Sequence, residues 1–375
     1  MLKVSAATWN ALSLLLDEAF NLEPAARAVW LAELAERQPQ LAPTVRKMLA
    51  AYTSSETDDF LAQSPRLASL LNESRLTALA AGARVGPYRL RRELGAGGMA
   101  DVWLAERADG AFTRDVALKL PIMSRLRRDL AHRFARERDI LARLEHPHIA
   151  RLYDAGVSED GLPYLAMEYV DGLPIIEYSD AHRLDIAARL RLFGQVLDAV
   201  QFAHASLVIH RDIKPSNILV TSNGEVRLLD FGIAKLLAEN ETAHETQLTQ
   251  MAGRAMTPDY ASPEQIKGES LTIATDVYSL GVVLYELLAG CRPYRLKVQS
   301  PAQLENEILV AEPSKPSSAL TDEAAHARGM TVSRLSRMLN GDLDTITLKA
   351  LAKAPADRYV TIAAFAEDLR RHLEG

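Results

Sequence analysis

One cysteine, Cys291, is all that the 375 residues contain, so no disulfide can close within the chain, and a reducing, cytoplasmic setting is expected. Such a residue reads as a small core side chain before it reads as a reactive thiol. A basic surplus is also missing: 43 Lys and Arg stand against 49 Asp and Glu, for a formal net charge of -6. That balance gives no support to nucleic acid or an anionic membrane surface as a partner. No apolar run approaches the roughly 18 residues that span a bilayer. Residues 1–16 have neither the charged start nor the uninterrupted apolar stretch of a signal peptide. No membrane segment is therefore expected in this chain. Low complexity is absent too, since 19 Gly, 17 Pro, 48% hydrophobic and 25% charged residues make an ordinary globular composition. The length suits two or three domains with a large core.

What is present changes texture along the chain. Residues 1–82 are rich in Ala and Leu and hold a single glycine, Gly82. Trp9, Leu12, Leu16 and Phe20 recur at helical spacing, as do Leu41, Val45, Met48, Leu49 and Tyr52. Pro24 and Pro65 sit where helices begin, because proline's missing N–H is no loss in a first turn. The segment predicts three or four short helices, with turns at 21–24 and 38–40, a polar break at 53–59 and a linker at 81–84. It has no acid, base or metal constellation. It reads as a helical module of unassigned role, 1–82, serving a protein partner, bracing the next domain, or acting as a plain appendage.

From residue 88 the pattern turns β-like. Strands are expected at 88–94, 102–105, 116–120, 149–153 and 163–168, the last two bracketing 156–161. A helix is expected from about 127 to 144, stopped before Pro147. Past Gly172 the long periodic stretches are helical, broken near 208–232 by short β-like runs. Residues 300–340 read as a long polar segment: a solvated loop with one short helix at 332–339, or a docking insert. The order is a small β-rich lobe holding one helix, then a larger helical lobe.

Gly95-Ala96-Gly97-Gly98-Met99-Ala100 follows a strand, and glycines let backbone N–H groups approach phosphate oxygens. A dinucleotide site would need a helix to start here. Residues 100–105 read as a strand instead, so the loop reads as a hairpin over a ligand; alone, a glycine-rich turn is as good a description. The mononucleotide pattern Gly-x-x-x-x-Gly-Lys-Ser/Thr is absent. Lys119 ends the apolar strand Val116-Ala117-Leu118. Glu137 falls on the apolar face traced by Leu130, Phe134, Leu141 and Leu144, where a carboxylate is costly unless paired. Lys119 is its expected partner, with rotation into solvent the alternative. His210-Arg211-Asp212-Ile213-Lys214-Pro215-Ser216-Asn217 follows the apolar run 207–209, and Asp230-Phe231-Gly232 follows a second, 226–229. Two strands presenting Asp212, Asn217 and Asp230 would offer oxygen ligands to a hard cation, and Asp212 would accept a proton from an attacking hydroxyl. A single acid of this kind is usually a solvated loop carboxylate, but that account fits poorly with the ordered set.

In this order the motifs resemble a eukaryotic-type (Hanks-type) Ser/Thr protein kinase of the kind found in bacteria, over about residues 86–375. The resemblance implies an α+β, bilobal protein kinase fold in a kinase domain at 83–375. The small antiparallel β-rich lobe would cover about 86–170 and the larger helical lobe about 171–375. Residue roles follow the family pattern. Gly95, Ala96, Gly97 and Gly98 would cover the phosphates of ATP, and Lys119, held by Glu137, would grip them. Asp212 would be the catalytic base and Lys214 its charge-neutralising neighbour. Asn217 and Asp230 would hold Mg²⁺, or Mn²⁺ in its stead. Val102, Ala117 and Leu219 would sandwich adenine beside Met167 as gatekeeper, with backbone groups of Glu168 and Val170 reading its edge; ordinary core is the competing account of the apolar members. Leu141, Leu152, His210 and Phe231 would stack into a column between the lobes. Glu264, in Ser262-Pro263-Glu264, would meet Arg358, and Asp276 would anchor the catalytic loop.

The resemblance also speaks to substrate and control. Thr257 with Lys214 implies a protein Ser or Thr hydroxyl as acceptor. Arg211 implies a phosphorylated activation loop, since guanidinium and phosphate pair strongly. Thr249 is favoured by spacing over Thr246 and Thr242, with a transient dimer for phosphorylation in trans. Ala100 replaces the third usual glycine of the loop, and Met256 stands where glycine is common, which bears on substrate docking. Relatives of this kind often continue into a membrane helix and sensor. The chain ends near the last expected kinase helix, as a truncated piece or a free cytosolic enzyme would. The alternative function is a catalytically silent kinase-fold scaffold acting through residues 1–82.

Overall fold

The computed structural model describes residues 79–96, 100–108, 114–121, 144–159, 161–231, 258–294 and 301–375, with six scattered positions between Trp30 and Ala42. The chain divides into two compact units, Met1–Leu79 and Ala80–Gly375. In the first, Trp30, Leu31, Leu34, Arg37 and Ala42 are helical and Gln38 is not. Gln38 thus lies outside helix where a turn is expected. The other helices expected in 1–82 lie outside the described residues.

The second unit opens with an antiparallel sheet. Its strands are β1 (Arg84–Val85), β2 (Tyr88–Ala96), β3 (Ala100–Arg107), β4 (Asp115–Pro121), β5 (Leu152–Val157) and β6 (Pro163–Glu168). The sheet order is β1-β2-β3-β4-β6-β5. β4 alternates cleanly: Val116, Leu118 and Leu120 are buried, while Ala117 and Lys119 point to the opposite, partly open face. Register shifts interrupt the β2–β3 ladder between Leu90 and Arg92 and between Glu93 and Gly95. A Cβ at Gly156 would sit 2.6 Å from the Tyr164 hydroxyl, so only glycine lets that ring lie across β5.

The expected strand at 149–153 needs correction. β5 runs from Leu152 to Val157, through Gly156. Ile149 instead forms a parallel bridge with Leu228 of the large lobe, because the backbone at 148–150 bonds Leu228 on both sides.

The large lobe begins with a second sheet, β7 (Gly172–Pro174), β8 (Ile218–Thr221) and β9 (Val226–Leu228). Its described helices are α1 (Ile175–Ala181), α2 (Ile186–Ala205), α3 (Pro263–Lys267), α4 (Ile273–Ala289), α5 (Pro301–Val310), α6 (Asp322–Ala327), α7 (Val332–Leu339), α8 (Asp342–Ala350) and α9 (Ile362–Glu374). Side chains of Asp185, Thr272, Thr321, Thr331 and Thr361 cap helix N-termini by accepting backbone N–H bonds. α4 is apolar nearly all round and buried along almost its whole length, as befits a helix at the centre of the lobe. Leu280, Val283, Leu284 and Leu287 of α4 share one core with Leu190, Phe193, Val196 and Leu197 of α2 and Phe365 of α9.

Two further expectations are corrected. Residues 300–340 are not a solvated loop with one helix: α5, α6 and α7 lie there, with Ile308, Ala325, Leu335 and Leu339 at or below 1% exposure. The expected helix at 332–339 is present as α7. Residues 207–209 are not a strand; Leu207 takes a left-handed φ of 61° and is 94% exposed. Cys291 is half-buried, its thiol 3.6 Å from the Ala319 carbonyl oxygen.

Candidate active site

The site is organised by one buried carboxylate. Asp276, in the first turn of α4, is wholly buried. Its Oδ2 accepts the backbone N–H of His210 at 2.8 Å and the ring N–H of His204 at 2.7 Å, and its Oδ1 accepts the N–H of Arg211 at 2.9 Å. Arg211 takes a left-handed φ of 66° and Asp230 one of 53°. Neither is glycine, so both conformations cost energy that the surroundings must supply.

His210 is fully buried, and burial pushes its imidazole below the ordinary pKa. Nδ1 faces the N–H of Asp212 at 3.3 Å, and Nε2 lies 2.8 Å from the Leu229 carbonyl oxygen. A neutral ring satisfies both only with its proton on Nε2. The ring also packs against Phe231 at 4.6 Å between centroids.

Two polar sets meet at this frame. In the first, Asp212 Oδ2 accepts from Asn217 Nδ2 at 3.1 Å and pairs with Lys214 Nζ at 3.1 Å. Asn217 Nδ2 also donates to the Asp212 carbonyl at 2.8 Å. Asn217 sits in the 3₁₀ turn Pro215–Asn217, not on a strand. In the second, Lys119 Nζ lies 2.9 Å from Asp230 Oδ1. That oxygen is buried and outside hydrogen-bonding geometry, so the contact is an ion pair. Leu229 joins the sets: its N–H donates to the Asn217 carbonyl at 2.8 Å while its carbonyl accepts from His210.

Residues 88–364 match the protein kinase domain family. The chain belongs to the protein kinase family. It is 38% identical over 301 residues to the serine/threonine-protein kinase PknB of Mycolicibacterium smegmatis, covering 77% of this chain and 43% of that protein. PknB of Mycobacterium leprae gives 38% over 295 residues, 76% of this chain and 42% of its own. The chain thus spans about two fifths of the length of these relatives. The solved kinase domain of Mycobacterium tuberculosis PknI matches with a TM-score of 0.56 at 28% identity, covering 80% of this chain and all of that one.

The residues expected around adenine lie on two sheets, Val102, Ala117 and Met167 on the small-lobe sheet and Leu219 on that of the large lobe. In the antiparallel registers Val102 faces Lys119 and Ala117 faces Met167, so all four share one face of the small-lobe sheet. Leu219 lies on β8 of the large lobe, opposite Arg227. Glu168 ends β6, and neither the N–H nor the carbonyl of Val170 takes a backbone partner among the described residues. Gly95 faces Val102 and Ala96 faces Asp101 across the β2–β3 ladder. Leu152 of the expected column faces Met167 across β5 and β6. Gly97, Gly98, Glu137, Leu141, Thr242, Thr246, Thr249 and Thr257 lie outside the described residues.

Arg358 meets Glu264 through two bonds of 2.7 and 2.9 Å, as expected. Burial pulls the Glu264 carboxyl up, but the hydrogen bonds from Arg358 and Thr275 outweigh it and hold the group below the usual range.

Sequence reasoning missed the residues that hold the turn at 258–260. Tyr260 donates to Glu286 Oε2 at 2.6 Å, Ser279 donates to the Tyr260 carbonyl at 2.9 Å, and Arg292 pairs with Asp259. A signal existed for one of them. Glu286 lies in a helix that is apolar nearly all round, as Glu137 lies on an apolar face in the sequence. Burial pushes its carboxyl upward.

Proposed function

We propose that the chain is an ATP-dependent protein Ser/Thr kinase, moving the γ-phosphoryl group of Mg-ATP to protein Ser or Thr hydroxyls. The observation that carries this reading is the joined set of Asp212, Lys214 and Asn217 with Lys119 and Asp230. The donor chemistry suits a hard divalent cation. Asn217 commits its amide nitrogen to Asp212, which leaves its carbonyl oxygen, and Asp230 offers a buried carboxylate oxygen. No group of three His, Cys, Asp or Glu fit to hold a metal occurs among the described residues, so phosphate and water oxygens would complete the shell. Mn²⁺ would serve in place of Mg²⁺ on the same oxygens. When bound, the cation supplies neutralisation of phosphate charge.

In the reaction, Asp212 accepts the proton of the acceptor hydroxyl as the new oxygen–phosphorus bond forms and the bond to the departing nucleoside diphosphate breaks. Lys214, 3.1 Å from the same carboxylate, offsets charge on the transferring group. Lys119 orients the phosphates. Val102, Ala117, Met167 and Leu219 enclose the base, and Glu168 and Val170 read its edge. Thr257 would bridge Asp212 and Lys214, which fits a Ser/Thr acceptor. Control by phosphorylation at Thr249, with Thr246 and Thr242 as secondary sites, in a transient dimer and a cytoplasmic setting, completes the reading. Full activity of Thr249→Ala, with Thr249 unmodified in active enzyme by mass spectrometry, would rule out that form of control.

The core of the proposal is tested by radiolabel transfer to a generic protein acceptor. Asp212→Ala should lower the rate by about 10²–10⁴-fold, and equal incorporation by the variant and the unaltered chain would defeat the enzyme reading.

A further inference from the structure

The side chain of Glu168 has no part in the roles above, yet it is held from two directions. Oε2 accepts the backbone N–H of Arg151 at 3.2 Å, and Oε1 lies 3.5 Å from Arg227 Nε. The Glu168 N–H in turn donates to the Arg151 carbonyl at 2.8 Å. One oxygen is therefore tied to the small-lobe backbone and the other faces a cation on β9 of the large lobe. Arg227 is fixed by its own contacts: it donates to the Val226 carbonyl at 3.1 Å and to Glu225 Oε2 at 3.0 Å. The Glu168 and Arg227 side chains are only 26% and 19% exposed, so solvent screens the pair less than an ordinary surface contact.

The surroundings give the pair its meaning. Arg227 lies opposite Leu219 in the β8–β9 register, so the two side chains leave the sheet on the same face. Leu219 is the residue assigned to the floor beneath adenine. Glu168 directly follows Met167 and begins the strand-to-lobe crossing that Val170 continues. The neighbouring backbone is cross-linked as well: Leu228 donates to the His148 carbonyl at 2.8 Å and accepts from the Ala150 N–H at 3.0 Å. Residues 148–151, the crossing at 168–170 and β9 thus form one knot, and among the ion pairs given for the described residues the Glu168–Arg227 contact is the one that ties the crossing to β9.

We infer that Arg227 is a positioning residue for the nucleotide, acting through Glu168 to hold the crossing at 168–170 at a set height over the floor at Leu219. The inference rests on the nucleotide reading of this cleft. Loss of the charge on either side frees the crossing from β9, so the two surfaces that grip the base no longer keep their spacing. Nucleotide then leaves faster. The protein acceptor binds elsewhere and its affinity does not follow.

The test is stopped-flow release of a fluorescent ADP analogue, with KM measured separately for ATP and for the protein acceptor. Arg227→Gln and Glu168→Gln should each speed release and raise KM for ATP by about threefold, as expected for a half-buried ion pair. The double variant should be no worse than either single, because one contact is being removed twice. Arg227→Lys, which keeps the charge and guards against a folding defect, should recover most of the effect. Release rates unchanged in both single variants, effects that add in the double variant, or a rise confined to KM for the acceptor would each overturn the inference. An unaltered chain that binds no nucleotide would overturn the nucleotide reading beneath it.

Discussion

Single residues in this chain matter chiefly through what they leave unpaired. Arg358 donates to both oxygens of Glu264 and to the carbonyls of Ala274, Ala352 and Lys353, with almost no exposure. Arg358→Met should cost about 3–5 kcal/mol in urea unfolding, because Glu264 is left buried without its cation. Adding Glu264→Gln should return part of that loss, since the amide is far cheaper to bury. His210 carries a pH consequence. Its folded pKa lies below the unfolded value near 6.5 because burial disfavours the imidazolium. On acidification the unfolded chain takes up the proton first. The contribution to stability is therefore complete above about pH 6.5 and is lost as pH falls through the lower, folded value. NMR should find this imidazole still neutral at a pH where exposed histidines are half titrated.

At the scale of elements, α4 shows how one helix serves both core and site. Thr272 caps its start, Asp276 in its first turn holds the backbone of His210 and Arg211, and Glu286 near its end holds Tyr260. Its C-terminus is closed twice. Gly290 takes the left-handed conformation at φ 74°, and the guanidinium of Arg328 donates to the carbonyls of Glu286, Leu287 and Leu288. Burial, with Arg189 nearby, lowers the Arg328 pKa to about 10, still charged at neutrality. A Cβ at Gly290 would lie 2.7 Å from that of Ala324, so alanine meets both a disfavoured left-handed φ and a clash. Gly290→Ala should destabilise by about 1–3 kcal/mol, and Thr272→Ala by about 1 kcal/mol through the lost cap. Thermal unfolding that leaves Gly290→Ala level with the unaltered chain would contradict this account.

For the whole molecule, the proposed nucleotide site would draw on both lobes, so filling it should stabilise them together. Mg²⁺ with a non-hydrolysable ATP analogue at 100 times its Kd should add about 2.7 kcal/mol to unfolding, read as a rise in Tm. EDTA should remove most of that gain, and Asp230→Asn should blunt the part that depends on the cation. A Tm rise that is the same with and without the divalent ion would argue against Asn217 and Asp230 as its ligands. Among the described residues no helix is long and apolar enough to cross a membrane.

The amino-acid order alone determined the lobe sequence, most strands, the helix α7 and the chemistry-bearing motifs, because periodicity, caps and glycine spacing act within a few residues of one another. It pointed to the Arg358–Glu264 pair only by resemblance, since those partners lie 94 residues apart. Tertiary structure decided the rest. It made helices of α5 and α6, whose polar sequence reads as loop, and buried them with α7 by setting Ile308, Ala325, Leu335 and Leu339 against the lobe. It left 207–209 unpaired because no neighbouring strand meets that run. It also chose which carboxylates find a partner: Asp230 with Lys119, Glu286 with Tyr260, Asp259 with Arg292 and Glu168 with Arg227. Pairing of distant charges depends on where backbones cross, and no short-range pattern in the chain encodes that crossing.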